Sequence, residues 1–119
     1  MDATILIVDN DIKEVESLKT TLENMGFRVV QMSNGATGLK FLQSVKPKAI
    51  ISEFAFPTMA GTSFAQQVKE NPHLKDVPIF IYTTRKALDG NHADMFDGIF
   101  FKPDHQPLLD RLRNGILPN

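Results

Sequence analysis

The run Ala49-Ile50-Ile51-Ser52-Glu53-Phe54-Ala55-Phe56-Pro57 decides the fold, because it is an almost continuously apolar stretch that closes on a carboxylate and is stopped by proline. A strand that is apolar at consecutive rather than alternate positions is buried on both faces, as in a parallel sheet covered by helices. On such sheets ligands and chemistry sit just outside the carboxyl ends of the strands, so Glu53 points at the crevice. Three further runs end in the same manner. Ile5-Leu6-Ile7-Val8 leads into Asp9-Asn10-Asp11, Pro78-Ile79-Phe80-Ile81-Tyr82 into Thr83-Thr84, and Ile99-Phe100-Phe101 into Lys102-Pro103. The strand ends together deliver carboxylate, amide, hydroxyl and ammonium groups to one place.

The segments between these runs read as helices. Asp11-Ile12-Lys13-Glu14 has the form of a capping box, with Asp11 accepting from first-turn amides and Glu14 reaching back. Val15, Leu18, Leu22 and Met25 then share one stripe, and Gly26 follows as a C′ glycine. Phe27 to Met32 makes a second strand. Ser33-Asn34-Gly35 turns into a shorter helix with Ala36, Leu39, Leu42 and Val45 inward, closed by Pro47. After Glu53, the loop from Pro57 to Gly61 enters a helix that buries Phe64, Ala65 and Val68 and is stopped by Asn71-Pro72. Between Arg85 and Asp97, Ala87, Leu88, Met95 and Phe96 supply a helical face, but Asp89-Gly90-Asn91 is turn chemistry and predicts a short or broken helix. The fifth strand spans Gly98 to Phe101. A last helix opens near Pro107, turns Leu108, Leu109 and Leu112 inward and ends at Asn114-Gly115. Five strands alternating with helices and joined by short loops imply right-handed crossovers and a three-layer α/β domain.

Composition narrows the function. The 119 residues form one domain able to bury roughly two-thirds of the unfolded chain's surface. Hydrophobic residues make up 42% and charged residues 23%, an ordinary globular balance, and the net charge of -1 leaves no basic patch for nucleic acid. Cysteine is absent, which excludes disulfides and thiolate metal sites and makes a reducing, cytoplasmic setting natural. No apolar run reaches the length of a membrane span, and Met1-Asp2-Ala3-Thr4 lacks the features of a signal peptide. His73, His92 and His105 are scattered without ligand spacing.

Taken singly, each strand-end residue has a plainer account: Asp9 as a structural acid paired with Lys102, Asn10 as a turn residue, Asp11 as a helix cap, Glu53 as a solvated acid, Thr83 as a good β former. Their joint placement on four strand ends argues for a site. In that placement the chain, over residues 1–119, resembles a receiver domain of bacterial two-component response regulators, the chemotaxis-regulator-like kind. Val8-Asp9-Asn10 resembles the family's acid pair after the first strand. Glu53 falls at the phosphoacceptor aspartate, Pro57 and Gly61 at the proline and glycine of the following loop, Thr83 at the switch hydroxyl, and Lys102-Pro103 at the lysine and its usually cis proline. The resemblance implies a flavodoxin-like sandwich with strand order 2-1-3-4-5.

Two departures from that family fall on its chemistry and a third on its aromatic switch. The second acid is Asn10, the acceptor is Glu53, and the aromatic switch position holds Ile99. Mg²⁺ requires near-octahedral oxygens at about 2.0–2.1 Å, whereas the extra methylene of Glu53 displaces a carboxylate by about 1.5 Å. Positioning is most of the catalysis in phosphoryl transfer, so such a displacement is disabling. The sequence therefore predicts a pseudo-receiver, not an enzyme, that binds a protein partner without aspartyl phosphorylation. Its degenerate metal site, Asp9, Asn10 and Glu53, is expected to hold Mg²⁺ weakly at best.

By resemblance the partner is a histidine kinase or a downstream signalling protein, met on the face of the fourth helix, fifth strand and fifth helix, with Leu88, Met95 and Phe96 as its apolar candidates. Glu53 either imitates an acyl phosphate or holds Lys102 in a resting bridge. The alternative is a receiver that still takes Mg²⁺ and is phosphorylated by a histidine kinase. A flavin or nucleotide binder is disfavoured, because Asp9-Asn10-Asp11-Ile12 is acidic and lacks phosphate-cradling residues.

Overall fold

Apolar runs long enough for only four or five residues of strand become strands here, and they pair in parallel. The structure is a computed structural model that describes residues 3–55, 60–84 and 94–115. In chain order the elements are β1 (Thr4–Val8), α1 (Ile12–Asn24), β2 (Arg28–Met32), α2 (Gly35–Leu42), β3 (Ala49–Ser52), α3 (Gly61–Glu70), β4 (Ile79–Thr83), β5 (Gly98–Phe101) and α4 (Gln106–Gly115). The five strands form one parallel sheet in the order β2-β1-β3-β4-β5, the expected flavodoxin-like arrangement. No helix among the described residues is long and apolar enough to cross a membrane.

The central strands bury both faces, and that explains their unbroken apolar sequence. On one side Ile5, Ile7, Ile51, Phe80 and Tyr82 pack with Leu18 and Leu22 of α1 and Leu108, Leu109 and Leu112 of α4. On the other, Leu6, Val8, Ile50, Ile79 and Ile81 pack with Leu42 of α2 and Phe64, Ala65 and Val68 of α3. Fully burying each such aliphatic side chain contributes about 1.5–3 kcal/mol before chain entropy is counted. The edge strands β2 and β5 are only partly covered.

Most boundaries fall where the sequence places them. Asp11 caps α1 by accepting from Glu14 N–H at 3.1 Å. Gly26 ends that helix at φ 99°, a conformation costly for a residue with a side chain. Asn34 caps α2 by accepting from Thr37 N–H at 3.0 Å.

Several expectations need correction. In α2 the inward positions are Gly35, Gly38 and Leu42, while Ala36 is exposed, Leu39 only half-buried, and Val45 lies beyond the helix. Without a side chain at Gly38 the helix seats close to the sheet, since a Cβ there would lie 3.1 Å from Val8 Cγ2 and 3.2 Å from Phe64 Cε1. Glu14 does not close the capping box: Asp11 N–H goes to Asp9 Oδ1 and the Glu14 carboxylate turns to Lys102. Phe96 is a core residue, edge-on to Phe54 with ring centroids 6.2 Å apart, and Met95 is half-buried beside the same cluster. Pro57, Leu88 and the short or broken helix expected around Asp89-Gly90-Asn91 lie outside the described residues.

Candidate functional site

The carboxyl ends of β1, β3, β4 and β5 lie side by side, and the sheet's register decides which side chains meet there. Val8 pairs with Ser52, Ser52 with Ile81, and Thr83 with Phe101. The next residues out on three of the strands are therefore Asp9, Glu53 and Lys102. Backbone bonds extend the pairing beyond the strands: Asp9 N–H donates to Met32 O at 2.9 Å, Glu53 N–H to Val8 O at 2.9 Å, and Lys102 N–H to Thr83 O at 2.7 Å. The polar side chains leave a rigid, buried frame.

Lys102 is the centre of the arrangement, with 5% of its side chain exposed. Its ammonium donates to Asp9 Oδ2 at 2.8 Å and Glu53 Oε1 at 3.2 Å, and it lies 3.1 Å from Glu14 Oε2. It also stands 6.0 Å from the Tyr82 ring centroid, within reach of a cation–π contact. Burial alone pulls Lys102 towards the neutral form, but its hydrogen bond to Asp9 and the charges of Asp9 and Glu53 outweigh burial and raise it above the ordinary lysine value. The ammonium is thus locked in the charged state.

The two buried-end acids are engaged on both oxygens. Asp9 Oδ1 accepts from Asp11 N–H at 2.8 Å while Oδ2 takes Lys102. Glu53 folds back so that Oε2 accepts from the adjacent Phe54 N–H at 2.6 Å and Oε1 takes Lys102. Asn10 is exposed and stands outside this set. Thr83 is fully buried, and its hydroxyl has no hydrogen-bond partner among the described residues. Such a group costs about 1–3 kcal/mol.

Gly61 brings the start of α3 against the strand end that carries Glu53. Its N–H donates to Phe54 O at 2.7 Å, and a Cβ in its place would meet that oxygen at 2.6 Å and Glu53 O at 2.8 Å. The strand end that presents Glu53 and the start of α3 therefore come together only through glycine. The Lys102-Pro103 bond is cis, as the resemblance implied.

Of the residues singled out in the sequence, Asp9, Glu53 and Lys102 are brought into direct contact, with Thr83 joined through its carbonyl. Ile99 pairs with Ile81 and is half-buried on the α2/α3 side of the sheet. Phe100, the neighbouring ring, faces the other side, edge-on to Phe80 at 6.1 Å. Successive strand residues point to opposite faces, so Phe100 cannot take over the place of Ile99. Glu14, in the first turn of α1, was missed as a site residue because its pattern with Asp11 reads as a local cap.

The response regulator receiver domain family matches residues 5–113. The chain belongs to that family. Among curated relatives, the transcriptional regulatory protein QseB of Haemophilus influenzae is 32% identical over 85 residues, which are 71% of this chain and 38% of QseB. Histidine kinase P4 of Formosa agariphila is 31% identical over 86 residues, 72% of this chain and 6% of that protein. The receiver spans less than half the length of these curated relatives.

Solved structures agree on the fold. The chemotaxis protein CheY4 of Vibrio cholerae superposes with a TM-score of 0.85 at 26% identity, covering 98% of this chain and 100% of that one. A response regulator from Chloroflexus aurantiacus gives 0.84 at 26% identity, covering 96% and 97%. The protein is thus a receiver domain of two-component signalling.

Proposed function

We propose that this receiver is a pseudo-receiver, which acts in two-component signalling by binding a protein partner and takes no aspartyl phosphate. One observation carries the reading: at the acceptor position Glu53 spends one carboxylate oxygen on Phe54 N–H at 2.6 Å and the other on Lys102 at 3.2 Å. Each oxygen keeps a further lone pair, but the two bonds fix the direction in which the carboxylate points, and in-line attack on phosphorus depends on that direction.

The magnesium ion that the family implies meets the same obstacle. Its two remaining carboxylate ligands, Asp9 and Glu53, each already accept from Lys102, and Asn10 brings no charge. A protonated amine between the acids repels a divalent cation, and Mg²⁺ tolerates little departure from octahedral oxygen geometry. The residues present do not fit that ion. With Lys102 held by Glu53 and the Thr83 hydroxyl unpartnered among the described residues, the arrangement supports a resting bridge over imitation of an acyl phosphate.

The partner is a histidine kinase or a downstream signalling protein in the cytoplasm, and β5 with α4 is the face we assign to it. Phe96 is removed from that surface by its burial, while Met95 stays a candidate. Calorimetric titration with Mg²⁺ tests the reading; we expect binding at least about tenfold weaker than that of a receiver with three acids. Acetyl phosphate with Mg²⁺ should leave the mass of the chain unchanged. A stable phosphoryl adduct on Glu53 would defeat the proposal. Thr83 and Lys102 keep their places at the strand ends, so Asn10→Asp with Glu53→Asp should recover part of the phosphorylation that the present residues forgo. The alternative is a receiver that still takes Mg²⁺ and is phosphorylated by a histidine kinase.

A further inference from the structure

Three carboxylates surround the Lys102 ammonium, and they come from two different sources. Asp9 and Glu53 end strands, and the sheet fixes them. Glu14 comes from the first turn of α1, at 3.1 Å, with 45% of its side chain exposed while Lys102 itself is 5% exposed. Asp9 and Glu53 accept hydrogen bonds from the ammonium, and Glu14 adds a third negative charge beside it as an ion pair. Its greater exposure places Glu14 on the solvent side of a lysine that the strands hold from beneath.

The first turn of α1 is itself tied to the site. Asp9 Oδ1 accepts from Asp11 N–H at 2.8 Å, and Asp11 Oδ1 accepts from Glu14 N–H at 3.1 Å. Asp9 then returns to Lys102 through its other oxygen at 2.8 Å. Asp9, Asp11, Glu14 and Lys102 thus make a closed circuit of side chains and amides, in which the helix start cannot shift without loosening the lysine. The other charged group against the ammonium is Glu53, and Tyr82 lies beneath.

We propose that Glu14 is a positioning residue that latches the Lys102 ammonium between Asp9 and Glu53, so that the placement of the first turn of α1 governs how firmly the lysine is held. This stands on the described side-chain geometry and goes beyond the question of whether Glu53 accepts a phosphoryl group. The plainer alternative is a half-exposed ion pair of little consequence, which many surface pairs are.

Acetylation of the intact chain by an N-hydroxysuccinimide ester at neutral pH, read lysine by lysine in peptide masses, separates the two. Glu14→Gln should acetylate Lys102 about fivefold faster than the parent chain, at an unchanged urea midpoint, and Glu16→Gln on the exposed side of α1 should not. Glu14→Asp should recover part of the protection. The same ranking is expected in the ¹⁵N signal of the Lys102 ammonium, which persists only while the group is held. Equal Lys102 rates in the parent and Glu14→Gln chains would overturn the latch, as would an equal rise in Glu16→Gln. Magnesium titration of the parent chain is a separate measurement: tight binding alongside a latched Lys102 would sink the pseudo-receiver reading and leave the latch standing.

Discussion

Two lysine–aspartate pairs stand at opposite ends of the same sheet and differ in almost everything but their chemistry. At the carboxyl end Lys102 and Asp9 are 2.8 Å apart with 5% and 3% of their side chains exposed. At the amino end Lys69 and Asp97 are 3.4 Å apart with 37% and 38% exposed. Water screens the second pair and is excluded from the first. The same two residue types therefore make a fixed, high-stakes network at one end and an ordinary surface contact at the other. The two ends also differ in what they bury: the carboxyl end keeps polar groups a core would be better without, whereas the amino end keeps none of that kind among the described residues.

The largest expected effect follows from removing the buried cation. Lys102→Met should cost about 3 kcal/mol in chemical denaturation, because Asp9 and Glu53 are left charged without their shared partner. We place it at the low end of the range for broken buried pairs, since Glu14 is half-exposed and can turn to water. A loss below about 1 kcal/mol would break the comparison, since it would put Lys102 in the class of surface lysines.

A gain of stability is expected next. Thr83 buries a hydroxyl that has no partner among the described residues, so Thr83→Val, which keeps the branched shape preferred in strands, should raise stability by about 1 kcal/mol. A destabilising result would mean that the hydroxyl has a partner in solution.

How much of this was legible in the sequence differs between the same two ends. The strand ends were readable because buried parallel strands announce themselves as unbroken apolar runs, and a polar residue closing such a run can only lie at its end. Asp9, Glu53, Thr83 and Lys102 were found in that way. Glu14 was not, because its pattern with Asp11 matches a local capping box, and only the fold brings Lys102 from the far end of the chain to compete for the carboxylate. Ala36 failed for a related reason. Periodicity marks one face of a helix, but the inward face of α2 is centred on a glycine, whose lack of side chain no hydrophobic pattern records. Phe96 shows the limit for surfaces, since an aromatic at helical spacing reads alike as a docking face or as core.

Alkaline pH sharpens the contrast with a smaller effect. The folded value of Lys102 lies above its ordinary 10.5, so its contribution is complete below that pH and is lost as pH rises through the folded value. The parent chain's advantage over Lys102→Met should stay flat from neutral pH to about 9.5, then shrink by under about 1 kcal/mol by pH 11. Burial also pushes the Tyr82 phenol up, which destabilises in the same direction, so both chains should carry Tyr82→Phe. An advantage that instead fell between pH 7 and 9 would mean that Lys102 loses its proton more easily than in water, and that burial outweighs the acids.

The smallest expected effect is at the amino end and is the more exacting test. Lys69 reaches Asp97 Oδ2 at 3.4 Å, but that same oxygen accepts from Ile79 N–H at 2.8 Å, and the Asp97 carbonyl accepts from Arg111 at 2.8 Å. Asp97 is thus held by the backbone of β4 and by α4 whether or not Lys69 is present. Lys69→Met should change stability by no more than about 0.5 kcal/mol, and added salt should not alter the difference much, because little Coulomb energy is there to screen. Asp97→Ala, by contrast, removes the acceptor of the Ile79 amide and should cost more than Lys69→Met by about the net worth of one hydrogen bond to a charged group, about 1.5–3 kcal/mol. A Lys69→Met loss as large as that of Asp97→Ala would mean that the ion pair itself anchors the start of β5. The two ends of the sheet would then differ in exposure without differing in energy, and burial would no longer predict which lysine matters more to stability.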